Sequence, residues 1–157
     1  GVSITNFMKA AVNAQRKAKG LPELTPGEYL RLLKEKMALV QMKGEFARRE
    51  VNVGFSGGEK KRNEVFQMAM LEPTLSILDE TDSGLDVDAV RTVSRGIEEF
   101  QKDKDAGLLI ITHNAAILSA LHVDAVHILV DGKIVANGGA ELIGEIERDG
   151  FAKYENL

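Results

Sequence analysis

Between residues 75 and 111 the chain spells strand, helix, strand, and that order leaves few folds open. Leu75-Ser76-Ile77-Leu78 is a short apolar run that stops at two adjacent acids, Asp79 and Glu80. Asp86 then stands where a helix N-cap belongs, ahead of Val90, Val93, Ile97 and Phe100 at helical spacing. Gly107 opens a second apolar run, Leu108 to Ile111, which stops at Thr112 and His113. Continuous apolar runs of this length predict parallel strands buried on both faces, with polar chemistry at their C-terminal ends. A third strand is predicted over Ala125 to Val130. Asp131-Gly132 is a strong hairpin signal, with Lys133 to Ala136 as the return strand and a closing helix over about Ala140 to Arg148.

Everything before residue 73 reads as helix or loop. Residues 5 to 19 carry Phe7, Met8, Ala11 and Val12 as an apolar set, and Gly20 to Pro22 break the pattern. Thr25-Pro26-Gly27-Glu28 starts a second helix: Thr25 caps, Pro26 suits the first position, and Glu28 reaches back as a capping box. Tyr29, Leu33, Met37 and Val40 continue it at helical spacing. The stretch from Gly44 to Phe55 is polar, basic and irregular. A third helix is predicted from about Gly57 to Leu71, ended by Pro73, with Glu72 pushed out of helical geometry. The expected division is a helical subdomain over residues 1–72 and an α/β sheet part over residues 73–157.

Composition narrows the partners. A chain of 157 residues suggests one domain, or one domain with a subdomain. The net charge of −4 disfavours a non-specific nucleic-acid binder or a protein held on an anionic membrane, since both need a basic face. No apolar run approaches the roughly 20 residues of a membrane span, so direct membrane insertion is not expected. No cysteine is present, which excludes a disulfide framework and a thiolate metal site and suits a cytoplasmic or plastid-stromal setting. The chain opens Gly1-Val2-Ser3, and the absence of Met leads us to expect further sequence upstream.

Four segments carry candidate chemistry. Ser56-Gly57-Gly58-Glu59 reads first as a capped helix start. Each glycine costs about 1 kcal/mol against Ala in a helix, so two in the first turn suggest backbone N–H groups that must approach something closely. Together with the positive helix end they would form an anion site. Asp79 and Glu80 are costly neighbours unless a cation or a polar network compensates them; a solvated loop is the plain alternative. In nucleotide hydrolases the first such carboxylate helps hold Mg²⁺ and a neighbouring acid can orient water. Ser83-Gly84-Leu85-Asp86 reads as a turn with an Asp cap. His113 reads as a hydrogen-bonded structural histidine or a catalytic one.

In this order the segments resemble the ATP-binding-cassette (ABC) ATPases. Ser56-Gly57-Gly58-Glu59 resembles the signature motif, Leu75 to Asp79 the Walker B strand, and Glu80 its catalytic glutamate. Ser83 to Asp86 resembles the D-loop and His113 the switch histidine. The finer similarity is to the SufC-type ATPases of iron–sulfur cluster assembly, through Val51 to Glu64 and through Asp79 to Ala89. Thr81 stands where most transporter ATPases carry Pro, and Asp82 is also a SufC-like choice. The chain departs from that family at Asn114-Ala115-Ala116, where Tyr and polar residues are usual. No G-x-x-x-x-G-K-[ST] occurs in the 157 residues, and the Gln-containing loop of the family is absent as well.

The resemblance implies a partial P-loop NTPase sheet domain, the C-terminal part of a RecA-like core, with an inserted helical subdomain. It implies ATP and Mg²⁺ as cofactors. Asp79 would hold the metal, Glu80 polarise water and His113 contact the γ-phosphate. Ser56, Gly57, Gly58 and Glu59 would close over nucleotide bound to the opposite subunit of a transient homodimer, and Asp86 would link the two sites. SufB- and SufD-like scaffold proteins are the partners it implies. Two other readings stay open: the ATPase subunit of a membrane transporter, and an interaction module without turnover.

Overall fold

A computed structural model describes residues 1–102 and 105–154. The order of elements is α1 (Ile4–Ala18), α2 (Pro26–Leu39), a 3-10 turn (Gly44–Arg48), α3 (Gly57–Leu71), β1 (Leu75–Asp79) and α4 (Val87–Gln101). There follow β2 (Gly107–Ile111), a second 3-10 turn (Ala115–Leu118), β3 (Val126–Val130), β4 (Lys133–Gly138) and α5 (Glu141–Asp149).

The helix starts lie where their caps put them. The Thr25 hydroxyl accepts from Glu28 N–H, and the Glu28 carboxylate takes the Thr25 N–H at 2.8 Å. Ser56 and Glu59 make the same reciprocal pair at the start of α3. Asp86 accepts from Ala89 N–H at 2.8 Å at the start of α4. Glu72 closes α3 in the left-handed region, at φ 44° and ψ 59°, just before Pro73.

Helix α3 packs against α1, α2 and α4. One hydrophobic cluster runs through all four helices, with Met8, Val40, Val65, Phe66, Val93 and Ile97 essentially inaccessible. Full burial of side chains of this size contributes about 1.5–3 kcal/mol each. The close approach of α4 depends on Gly96, where an added Cβ would meet Val40 Cγ1 and Val65 Cγ1 at 3.1 Å each. On α1 the buried stripe is Ile4, Met8 and Val12, spaced four apart, while Phe7 is 42% exposed and lies outside the core that the sequence pattern predicted for it.

β1 and β2 pair in parallel, from Leu75 opposite Gly107 to Asp79 opposite Ile111. Their expected burial on both faces does not hold. Ser76 and Leu78 turn inward and are buried, whereas Leu75 and Ile77 are 61% and 62% exposed. Leu109 and Ile111 are about half exposed on the same outer side. The helices cover one face of this pair, and among the described residues nothing covers the other. β3 and β4 form a separate antiparallel pair, one residue later in its start than predicted. Asp131 at φ 47° and Gly132 at φ 75° supply the two left-handed residues that a tight two-residue turn needs.

Candidate functional site

The parallel register brings the two strand-ending motifs to the same end of the sheet. Asp79 is the last residue of β1 and faces Ile111, the last of β2. Immediately beyond, Glu80 N–H donates to the Ile111 carbonyl at 2.8 Å and the backbone swings into the left-handed region at φ 46°. Thr112 and His113 leave β2 beside it. His113 Nδ1 lies 3.4 Å from Glu80 Oε1, with both side chains more than half exposed. Glu80 and His113, about thirty residues apart in sequence, are thus neighbours at an open strand end.

A partly buried polar link fastens the two loops. Thr81 and Asp82 are buried, and the Thr112 hydroxyl donates to Asp82 Oδ1 at 2.9 Å. The same hydroxyl accepts from Asn114 N–H at 2.9 Å. The Asp82 side chain therefore ties the loop after Glu80 to Thr112, whose hydroxyl in turn holds the Asn114 N–H on the far side of His113. Sequence reading named Asp82 and Thr112 without giving them this role; two polar residues beside strand-ending motifs were the available signal.

Asp79 and Glu80 are hard oxygen donors at an accessible strand end. Among the described residues no group of three or more His, Cys, Asp or Glu could hold a metal by itself. This donor set fits Mg²⁺, which keeps several waters and binds through one or two carboxylates plus substrate phosphates.

The second half of the site is the start of α3. Gly57 and Gly58 are needed neither for backbone conformation nor for packing. Neither has a positive φ, and a Cβ at Gly57 would meet nothing within 4 Å. At Gly58 it would meet only Leu85 Cδ2 at an ordinary 3.5 Å, which places Ser83-Gly84-Leu85-Asp86 beside this helix start. Ser56 N–H is taken by Glu59 Oε2 at 2.8 Å and Glu59 N–H by Ser56 Oγ at 3.3 Å. No described residue accepts from the N–H groups of Gly57 and Gly58, which leaves two unpaired donors at the positive end of a fifteen-residue helix. The Ser56 N–H bond and, after it, the Arg49 charge hold the Glu59 carboxyl below its ordinary value.

One feature of this region escaped the sequence reading. Arg49, in the polar, basic stretch ahead of Ser56, packs its guanidinium on the rings of Phe46 and Phe55 at 4.5 and 4.6 Å. It also pairs with Glu59 at 3.2 Å and donates to the Gly54 carbonyl at 2.6 Å.

The same fold occurs in solved ATP-binding cassettes. A dimeric bacterial ABC transporter cassette matches 88% of this chain and 56% of its own, with TM-score 0.70 and 14% identity. A nucleotide-free ATP-binding cassette of an ABC transporter matches 99% and 63%, with TM-score 0.65 and 16% identity. In sequence, a protein of Synechocystis named a probable ATP-dependent transporter is 52% identical over 151 residues, 96% of this chain and 59% of the relative. Over nearly its whole length the chain is similar to these ATP-binding-cassette proteins. A probable ABC transporter ATP-binding protein of Streptococcus pyogenes is 46% identical over 152 residues, 97% of this chain and 58% of its own length. The chain thus spans somewhat under two thirds of the relatives it matches. No family model matches the chain. No helix among the described residues is long and apolar enough to cross a membrane.

Proposed function

We propose that this chain is the signature- and Walker B-bearing part of an ATP-hydrolysing subunit. The observation that carries this is the meeting of Glu80 and His113, 3.4 Å apart, at the end of the strand that Asp79 terminates. In this reading Asp79 holds Mg²⁺, which supplies charge neutralisation at the phosphates when bound. Glu80 holds and polarises the attacking water, and His113 contacts the γ-phosphate. Ser56, Gly57 and Gly58 present their donors to nucleotide on a second subunit of a transient homodimer, while Asp86 links the two sites. Residues 1–72 and 73–157 then act as a helical part and the C-terminal part of a nucleotide-binding core. The phosphate-cradling loop and its lysine are not among the 157 residues, so turnover is a property of a longer protein that contains this chain.

The finer reading is a SufC-type ATPase working on a SufB–SufD-like scaffold that builds iron–sulfur clusters. Thr81 and Asp82 favour it. The names of the relatives favour a second reading, the ATPase subunit of a membrane transporter. Copurification from cells separates them, since scaffold proteins and membrane permeases are different catches.

The experiment on the chemistry is Glu80→Gln in the longer protein. Loss of a water-orienting base is expected to cut turnover about 10²-fold or more with ATP binding intact. Near-normal phosphate release would remove Glu80 from the mechanism.

A further inference from the structure

The donors of Gly57 and Gly58 can meet a ligand only if the helix start that carries them is held still. Two backbone-to-side-chain bonds and one further side chain set that start: the reciprocal bonds of Ser56 and Glu59, and Arg49. Arg49 touches three things that converge there. Its Nη1 pairs with Glu59 Oε1 at 3.2 Å, leaving Glu59 Oε2 to hold the Ser56 N–H. Its Nη2 donates to the carbonyl of Gly54, two residues before Ser56, at 2.6 Å. Its guanidinium carbon lies 4.5 and 4.6 Å from the ring centres of Phe46 and Phe55, buried rings that meet edge to face at 5.5 Å. A guanidinium, with donors on two separate nitrogens, suits all three at once, which a single ammonium nitrogen does not.

Arg49 is in turn anchored to the beginning of the helical part. Its carbonyl accepts from Ile4 N–H at 2.9 Å, and Val51 N–H donates to the Val2 carbonyl at 3.0 Å. Gly54 at φ 64° supplies the sharp bend between this anchor and Ser56.

We propose that Arg49 is the positioning residue that orients the Ser56-Gly57-Gly58 donors, by locking Glu59 and the Gly54 carbonyl against the Phe46–Phe55 pair. It touches no nucleotide. Its removal leaves Ser56 and both glycines in place but lets the loop that aims them swing. This inference rests on the reading of that helix start as the surface that closes over nucleotide held by a second subunit.

The test uses the longer ATPase that contains this chain, as wild type, Arg49→Met and Arg49→Lys. Nucleotide binding by the single subunit, melting temperature, and ATP-dependent association in a Glu80→Gln background are measured for each. Arg49→Met is expected to bind nucleotide as wild type does and to associate about tenfold more weakly or worse, the scale of a lost charge-assisted pair. Arg49→Lys keeps the charge on Glu59 and is expected to fall between, which also covers failure of the methionine variant to fold. Mixing Arg49→Met subunits with Glu80→Gln subunits gives the decisive readout. One site of the mixed dimer then has an intact Glu80 facing an intact signature, so turnover returns to a mixture of two deficient partners. Wild-type association of Arg49→Met, or no recovery on mixing, overturns the proposal. A wild-type protein that neither associates in ATP nor turns it over overturns the functional reading itself, a different outcome from either.

Discussion

At the scale of single residues, the site is built from groups whose neighbours were invisible until the chain folded. Glu59 shows this best. Its pattern position three residues after Ser56 announced a capping box, and the reciprocal bonds are present. The Arg49 contact was not announced, because nothing in Arg48-Arg49 says which guanidinium will find Phe46 and Phe55. The Ser56 N–H and the Arg49 charge lower the Glu59 carboxyl from its ordinary value of 4.5. A lowered carboxyl contributes stability that is complete above the ordinary value and is lost as pH falls through the lowered one. The start of α3 is therefore expected to stay capped at pH 5 and to loosen only in stronger acid. An NMR titration of the Glu59 carboxyl carbon checks this, and a midpoint at or above 4.5 would contradict it.

At the scale of elements, starts and stops were legible and coverage was not. Thr25, Ser56 and Asp86 marked three helix beginnings because a cap is a local bond between residues three apart. Pro73 marked an end for the same local reason. Phe7 was misplaced because a helical stripe three to four residues wide does not say which edge its neighbours will reach; Ile4 took the inner place. Gly96 is a case of contact set wholly by other elements. Its missing side chain lets α4 approach Val40 and Val65, whose branched side chains have little rotamer freedom to yield. Gly96→Val is expected to destabilise the fold by about 1–3 kcal/mol through overpacking, despite removing a helical glycine. Urea unfolding measures it, and an unchanged midpoint would mean that α4 can shift outward freely.

At the scale of the whole molecule, the βαβ order was readable and its shielding was not. Apolar runs such as Leu75 to Leu78 look alike whether one face or two will be covered. Here Ser76 and Leu78 reach the core while Leu75, Ile77, Leu109 and Ile111 form an outward apolar face on a two-stranded pair. Exposed apolar faces beside open strand edges favour association. The 157-residue chain is expected to associate with rising concentration, and Ile77→Lys with Leu109→Glu to suppress this. Those two positions are register partners, so the new charges attract across the pair. Static light scattering reads the outcome; equal association of the double variant would move the sticky surface elsewhere.

The backbone at Glu80 has a bearing on how such a chain would change under selection. A side chain other than glycine at φ 46° is held there against a local preference of about 1 kcal/mol or more. Heat tolerance alone would reward glycine or asparagine at that position. Lineages screened only for survival at high temperature should drift toward those two residues, and, on the role proposed above for Glu80, lineages that must also turn over ATP should keep the acid. Position 80 then works as a recorder of history: what stands there tells an observer which demand the population last had to meet.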